Sequence, residues 1–256
     1  AMPLQCGEET YVDDKTTPVE IFWQMLLDGV NIKTSLPSPD MFVQKFKAAK
    51  EAGDEVICIL IASKLSGTYQ GAMLAKQIVD YDGIHVIDAG HAAASVAEKM
   101  LVIAACRMRD QECTAEEIAR RLEQLRGSVR LIACLDTLEY LARGGRLPAA
   151  VASIGTKLQL KPIIVFGENG EIQVVKKCMG SKRAMRDMTE MVTECRINPE
   201  YPVIPIFAQN DRNGEEYVAS LKNAGCVGAM QAPQGIGATI GSYIGPGGYG
   251  IVFVEK

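Results

Sequence analysis

The 256-residue chain is 48% apolar and 23% charged, with a net charge of −4 at pH 7. That balance belongs to a globular protein with a sizeable core, in one large or two modest domains. It excludes a chain-wide field that would draw the protein to nucleic acid or to an anionic membrane surface.

Thr16-Thr17-Pro18, followed by Glu20, reads as a helix start with Ile21, Met25 and Leu26 as its apolar face. Ser38-Pro39-Asp40 starts a second helix, with Phe42, Phe46 and Ala49 on one face and Gly53 at its end. A buried strand over 55–61 then runs into Ser63-Lys64-Leu65-Ser66-Gly67, and a helix follows from Thr68 to about Tyr81. Ile84–Asp88 is a second buried strand, and an alanine-rich stretch from Ala92 to Met108 predicts a long helix. Thr114-Ala115-Glu116-Glu117 has the form of a capping box and opens a helix to about Leu125. Strands alternating with helices point to a parallel, doubly wound sheet.

Gly127-Ser128 breaks that pattern. Beyond it the reading gives a strand from Val129 to Leu135, a helix from Thr137 to Ala142 stopped by Gly144-Gly145, and a helix from Pro148 to about Leu158. Pro162–Phe166 and Glu171–Lys177 flank Gly167-Glu168-Asn169-Gly170, a hairpin signal. A helix over Ser181–Cys195, a strand over Val203–Ala208, a helix over Gly214–Ala224 and a strand over Gly250–Val254 complete the chain. The expected architecture is α/β in two domains. An N-terminal domain over 1–127 carries the parallel doubly wound sheet, and a C-terminal α/β domain over 128–256 carries a mixed sheet.

The eight cysteines form no C-x-x-C pair. Several, such as Cys58, Cys134 and Cys178, sit inside apolar runs. They read as small buried hydrophobes in a reducing compartment, not as disulfides or zinc ligands. No leader pattern opens the chain, and no apolar run approaches the ~18 residues of a membrane span. A cytoplasmic protein without stable membrane insertion is expected.

Three segments carry candidate chemistry. The Ser63–Thr68 turn leaves a strand and opens a helix, so backbone N–H groups, hydroxyls and the positive helix end converge on one spot. That suits a phosphate or a carboxylate; the alternative is that Ser66 only caps the helix. Thr34-Ser35-Leu36-Pro37-Ser38 is a second hydroxyl cluster, and ligands of open α/β sheets sit where such loops leave the strand ends. Arg143-Gly144-Gly145-Arg146 sets a diglycine between two guanidinium groups, either a helix stop or a means of aiming one at an anion. Gly245, Gly247 and Gly250 match G-x-G-x-x-G formally. A strand rather than a helix follows them, so the dinucleotide reading fails and close backbone approach is the better account. His85 lies inside a strand and His91 at a helix start, so neither a metal site nor a Ser/His base pair is indicated.

Four segments occur in the order and spacing of the DegV family of bacterial fatty-acid-binding proteins. They are Thr34-Ser35-Leu36-Pro37-Ser38, Ser63-Lys64-Leu65-Ser66-Gly67-Thr68-Tyr69, Leu138–Leu147 with its Arg-Gly-Gly-Arg core, and Ile244-Gly245-Pro246-Gly247-Gly248-Tyr249-Gly250. The chain resembles that family over essentially its whole length. The resemblance implies two α/β domains, a long-chain fatty acid buried in the first, and no cofactor or catalytic residue. It implies that Thr34 and Ser66 hydrogen-bond the carboxylate beside the Gly67 N–H, that Ser63 supports the turn, and that Arg146 faces the head group or a partner. Some members hand the carboxylate to a separate ATP-dependent fatty acid kinase subunit, so such a partner is implied as well. Where the family usually has a histidine, this chain has Tyr243, which donates a hydrogen bond but not as an imidazolium. The family's opening strand and Thr-Asp-Ser turn are also not found here. The competing reading is an enzyme, a small-molecule kinase or hydrolase built on the Ser66 turn.

Overall fold

The structure, a computed structural model, describes residues 2–14, 17–147, 160–210, 212–226 and 230–256. The helix expected over Pro148–Leu158 lies outside the described residues. In chain order the elements begin β1 (Met2–Cys6), β2 (Glu9–Asp13), α1 (Val19–Leu27), β3 (Ile32–Thr34), α2 (Pro39–Ala52), β4 (Val56–Leu60), α3 (Thr68–Val79), β5 (Ile84–Asp88), α4 (Val96–Asp110) and α5 (Ala115–Leu125). They continue β6 (Val129–Cys134), α6 (Glu139–Arg143), β7 (Leu160–Phe166), β8 (Ile172–Met179), α7 (Ser181–Thr193), β9 (Ile204–Phe207), α8 (Arg212–Asn223), β10 (Gln234–Gly235), α9 (Ala238–Ile244) and β11 (Tyr249–Val254). Two units emerge. The larger comprises Ala1–Ser35, Arg130–Gly167 and Ile172–Lys256, and the smaller Leu36–Val129 and Glu168–Glu171. An uninterrupted division into 1–127 and 128–256 does not describe this grouping, because the first 35 residues belong with the C-terminal half.

In the smaller unit β4 and β5 pair in parallel, from Val56 opposite Ile84 to Leu60 opposite Asp88. Alternation along β4 assigns its faces. Val56, Cys58 and Leu60 pack with Phe46 of α2 and with Ala72, Ala75 and Val79 of α3. Ile57 and Ile59 instead line a cavity with Val102 of α4 and Ile118 of α5. Helices therefore cover both faces, as the doubly wound reading requires. The capping box forms: the Thr114 hydroxyl accepts from the Glu117 N–H at 3.2 Å, and the Thr114 N–H donates to the Glu117 carboxylate at 3.1 Å.

The long alanine-rich helix begins later than its composition suggests. Gly90–Ala92 is a single 3-10 turn, and α4 starts only at Val96. Ala93 and Ser95 sit at φ of 46° and 59°. The Ala62 N–H donates to the Ala93 carbonyl at 2.8 Å, and Ala92, Ala93 and Ala94 are all buried. Tertiary hydrogen bonding and close packing override a favourable helix propensity here.

One turn into α4, burial pushes the Glu98 carboxyl up from 4.5 to about 7. The nearby Cys58 thiol is pushed up to about 11, by burial first and by the Glu98 charge second. A carboxyl with a raised folded pKa binds its proton more tightly folded than unfolded. Stability is therefore fullest below the ordinary value and falls as pH rises toward 7. Glu98→Gln should flatten that decline, read as urea midpoints that no longer drop between about pH 5 and pH 8. Parallel pH profiles for the variant and the parent protein would contradict it.

The larger unit holds an antiparallel sheet of order β2-β1-β3 and a mixed six-stranded sheet of order β10-β9-β11-β6-β7-β8. In the latter β10 runs parallel to β9, while β9–β11, β6–β7 and β7–β8 pair antiparallel. Ile132, Ile163, Met188, Tyr217, Ile251 and Phe253 fill one core. Leu4, Phe22, Trp23, Leu26, Ile32 and Ala238 fill a second. The apolar face of α1 is corrected accordingly: Phe22 and Trp23 are buried with Leu26, whereas Ile21 is 42% exposed.

Candidate functional site

The turn leaving β4 is built by backbone bonds and one acid. The N–H groups of Leu65 and Ser66 both donate to the Ala62 carbonyl, at 2.9 and 3.2 Å. The Ser63 N–H donates to Asp88 Oδ1 at 3.1 Å, and the Gly90 N–H reaches the same oxygen at 2.9 Å. The Arg126 guanidinium donates to the Asp88 carbonyl at 2.8 Å. Asp88, at the C-terminal end of β5, thus ties the loops after β4 and β5 together. Sequence reasoning passed it over; its one signal was an acid closing a buried strand.

Ser66 Oγ pairs with Thr68 Oγ1 at 2.8 Å and accepts from the Thr68 N–H at 3.3 Å. Its hydroxyl therefore does satisfy one free N–H at the start of α3, although Gly67 occupies the capping position. A Cβ on Gly67 would stand 3.1 Å from Leu36 Cδ1, so a side chain there would press on the segment before α2. The smaller unit also holds a cavity of about 660 Å³ lined by Ile57, Ile59, Val102, Ala105, Cys106 and Ile118 among others.

In the larger unit the structure brings together Thr34, Tyr243 and Arg146. Thr34 closes β3 and Tyr243 sits on α9; their hydroxyl oxygens are 2.5 Å apart. The Arg146 guanidinium lies over the Tyr243 ring, 4.9 Å from its centroid, and donates to the Gly144 carbonyl at 2.7 Å. Close approach explains the glycines around them. A Cβ on Gly144 would fall 2.4 Å from the Tyr243 ring, and one on Gly245 2.2 Å from the Tyr140 ring. Gly245 and Gly247 take φ of 71° and 80°. A Cβ on Gly250 would meet the Ile132 carbonyl oxygen at 2.6 Å. The terminal glycines thus serve packing, and β11 follows them.

Ser63, Ser66 and Gly67 accordingly belong to one cluster in the smaller unit, and Thr34, Arg146 and Tyr243 to another in the larger. His85 lies 3.9 Å from Glu55, away from either cluster. Among the described residues no group of His, Cys, Asp and Glu could hold a metal ion, and no helix is long and apolar enough to cross a membrane.

A family model described as an uncharacterised protein of the DegV family matches residues 1–256. A DegV domain-containing protein of Caldanaerobacter subterraneus subsp. tengcongensis is 33% identical over 256 residues, covering 100% of this chain and 90% of that protein. The structure is similar to that of a fatty-acid-binding DegV family protein from Thermus thermophilus. The TM-score is 0.87 at 28% identity, with 100% of this chain and 90% of that one covered. It also shares its fold with the B3 protein of Streptococcus pneumoniae fatty acid kinase, solved with linoleic acid. There the TM-score is 0.85 at 20% identity, over 100% and 90% of the two chains. With the expected motifs in place, the expected α/β architecture observed and the match running from end to end, the chain belongs to the DegV family.

Proposed function

We propose that the protein binds a long-chain fatty acid, its acyl tail buried in the smaller unit and its carboxylate taken there by the Ser66 hydroxyl with the Gly67 N–H. The observation that carries this reading is the likeness, over the whole chain, to the Thermus thermophilus fatty-acid-binding structure. Local chemistry supports it. The Ser66 turn opens a 12-residue helix, whose positive end favours an anion. The cavity of about 660 Å³ falls within the range typical of small-molecule sites. At ~0.8 kcal/mol per buried methylene, a tail of about 14 methylenes gains roughly 11 kcal/mol before costs. The tail then supplies most of the affinity, and the head group fixes orientation.

The enzyme reading has less support, since Ser66 Oγ is paired with a hydroxyl and a backbone N–H rather than with a base. Displacement of a fluorescent fatty acid by palmitate or stearate tests the binding function. Saturable displacement is expected; displacement by nucleotides or sugars instead would overturn it.

The protein further presents its bound carboxylate to a separate ATP-dependent fatty acid kinase subunit, with Arg146 serving the phosphoryl step. A guanidinium matches developing phosphate charge better than it matches a buried tail. Arg146→Ala should therefore spare fatty-acid binding, costing about 1 kcal/mol or less through the lost stacking on Tyr243. Acyl phosphate formation with a cognate kinase subunit and ATP should fall by at least about ten-fold. Collapsed binding with normal phosphorylation of the bound fraction would show that Arg146 has the opposite role.

A further inference from the structure

The turn between β7 and β8 makes a contact that a hairpin does not need. Its residues Glu168–Glu171 group with the smaller unit. Gly170 is buried there at φ 83°. A Cβ on it would fall 2.3 Å from Ala62 Cβ and 2.8 Å from the Gly90 carbonyl oxygen. Glycine is therefore required for space as well as for its φ. The neighbouring Glu168 carbonyl oxygen would in turn stand 3.2 Å from a Cβ on Gly90.

Ala62 and Gly90 are the two residues through which the Ser66 turn is tethered. The Ala62 carbonyl accepts the Leu65 and Ser66 N–H groups at 2.9 and 3.2 Å, and the Ala62 N–H is fixed on the Ala93 carbonyl at 2.8 Å. The Gly90 N–H holds Asp88 Oδ1 at 2.9 Å, the oxygen that also takes the Ser63 N–H at 3.1 Å. A residue seated against both tethers sets where Ser66 Oγ and the Gly67 N–H stand. The two parts of a fatty acid differ in what they demand of that placement. A tail held by burial tolerates small shifts, because the hydrophobic effect is non-directional. Charge-assisted hydrogen bonds need short distances and aligned donors. We propose that Gly170 is a positioning residue for the carboxylate, acting through Ala62 and Gly90 and making no ligand contact of its own. The proposal rests on the fatty-acid reading and deepens it.

Dodecanoate and dodecanol share a tail and differ in the head, so their affinities separate a misplaced turn from a loosened fold. Near pH ~7.5 the parent protein should prefer dodecanoate by at least about ten-fold. Gly170→Ala should lose most of that preference by weakening dodecanoate about ten-fold, with dodecanol within about two-fold of the parent. Asn169→Ala, at the exposed tip of the same turn, should leave both affinities within about two-fold. A preference kept in Gly170→Ala, equal losses for the two ligands, or the same loss in Asn169→Ala would overturn the assignment. A parent protein that does not prefer dodecanoate would remove the carboxylate reading and this proposal with it. Should Gly170→Ala not fold, hydrogen exchange on the parent protein decides. Adding dodecanoate should slow the amides of residues 63–67 and 168–170 together; slowing at 63–67 alone would overturn the coupling.

Discussion

Replacing Trp23 with alanine should cost the protein about 3–5 kcal/mol, as large aromatic truncations in well-packed cores do. Trp23 is the one tryptophan of the chain and only 5% exposed. It packs in the core formed by Leu4, Phe22, Leu26, Ile32 and Ala238. Its ring also lies close against α9, where a Cβ on Gly241 would fall 2.5 Å from Trp23 Cη2. That contact is why a glycine stands inside a seven-residue helix. The consequence reaches function, because α9 carries Ser242 and Tyr243 into a cavity beside Thr34. Urea unfolding followed by far-UV circular dichroism measures the loss without needing the indole. Gly241→Leu should cost about 1–3 kcal/mol from the other side of the contact, by overpacking it. A loss below about 1 kcal/mol for Trp23→Ala would mean that α1 and α9 are not held by this contact.

Ser66→Ala should weaken fatty-acid binding by about 1–3 kcal/mol, the range for removing a hydrogen-bond partner from a charged group. Ser66 also has a local partner, Thr68. Affinity must therefore be read beside thermal unfolding, so that a loosened turn is not taken for a lost ligand contact. If the variant stays folded and binds like the parent, the hydroxyl serves only its turn.

Where one face of an element is buried and its ends are marked, the chain was readable from its residues. β5 matches its expected bounds, α2 runs from Pro39 to a left-handed Gly53, and the Thr114 capping box forms as its spacing predicts. Elements whose register depends on distant partners were not readable. β1 and β2 pair across a two-residue turn with only Leu4 and Cys6 of their ten residues buried, so their alternation is weak. β3 is only three residues long and pairs with β1. α9 holds an internal glycine that lowers helix propensity and that only the Trp23 ring explains. The same limit applied to the site. The hydroxyl turn and the diglycine were visible as local patterns. Asp88, whose carboxylate ties two loops by two hydrogen bonds, and Lys33, which lines the cavity beside Thr34, are revealed only by the fold.

A single long-chain fatty acid is expected to occupy this protein. Mass spectrometry of the purified protein tests it most directly, run under native conditions and again after denaturation and organic extraction. The native mass should exceed that of the chain by a single long-chain fatty acid, and extraction should recover that acid. Recovery of no acyl chain, with a nucleotide or sugar found in its place, would contradict the account.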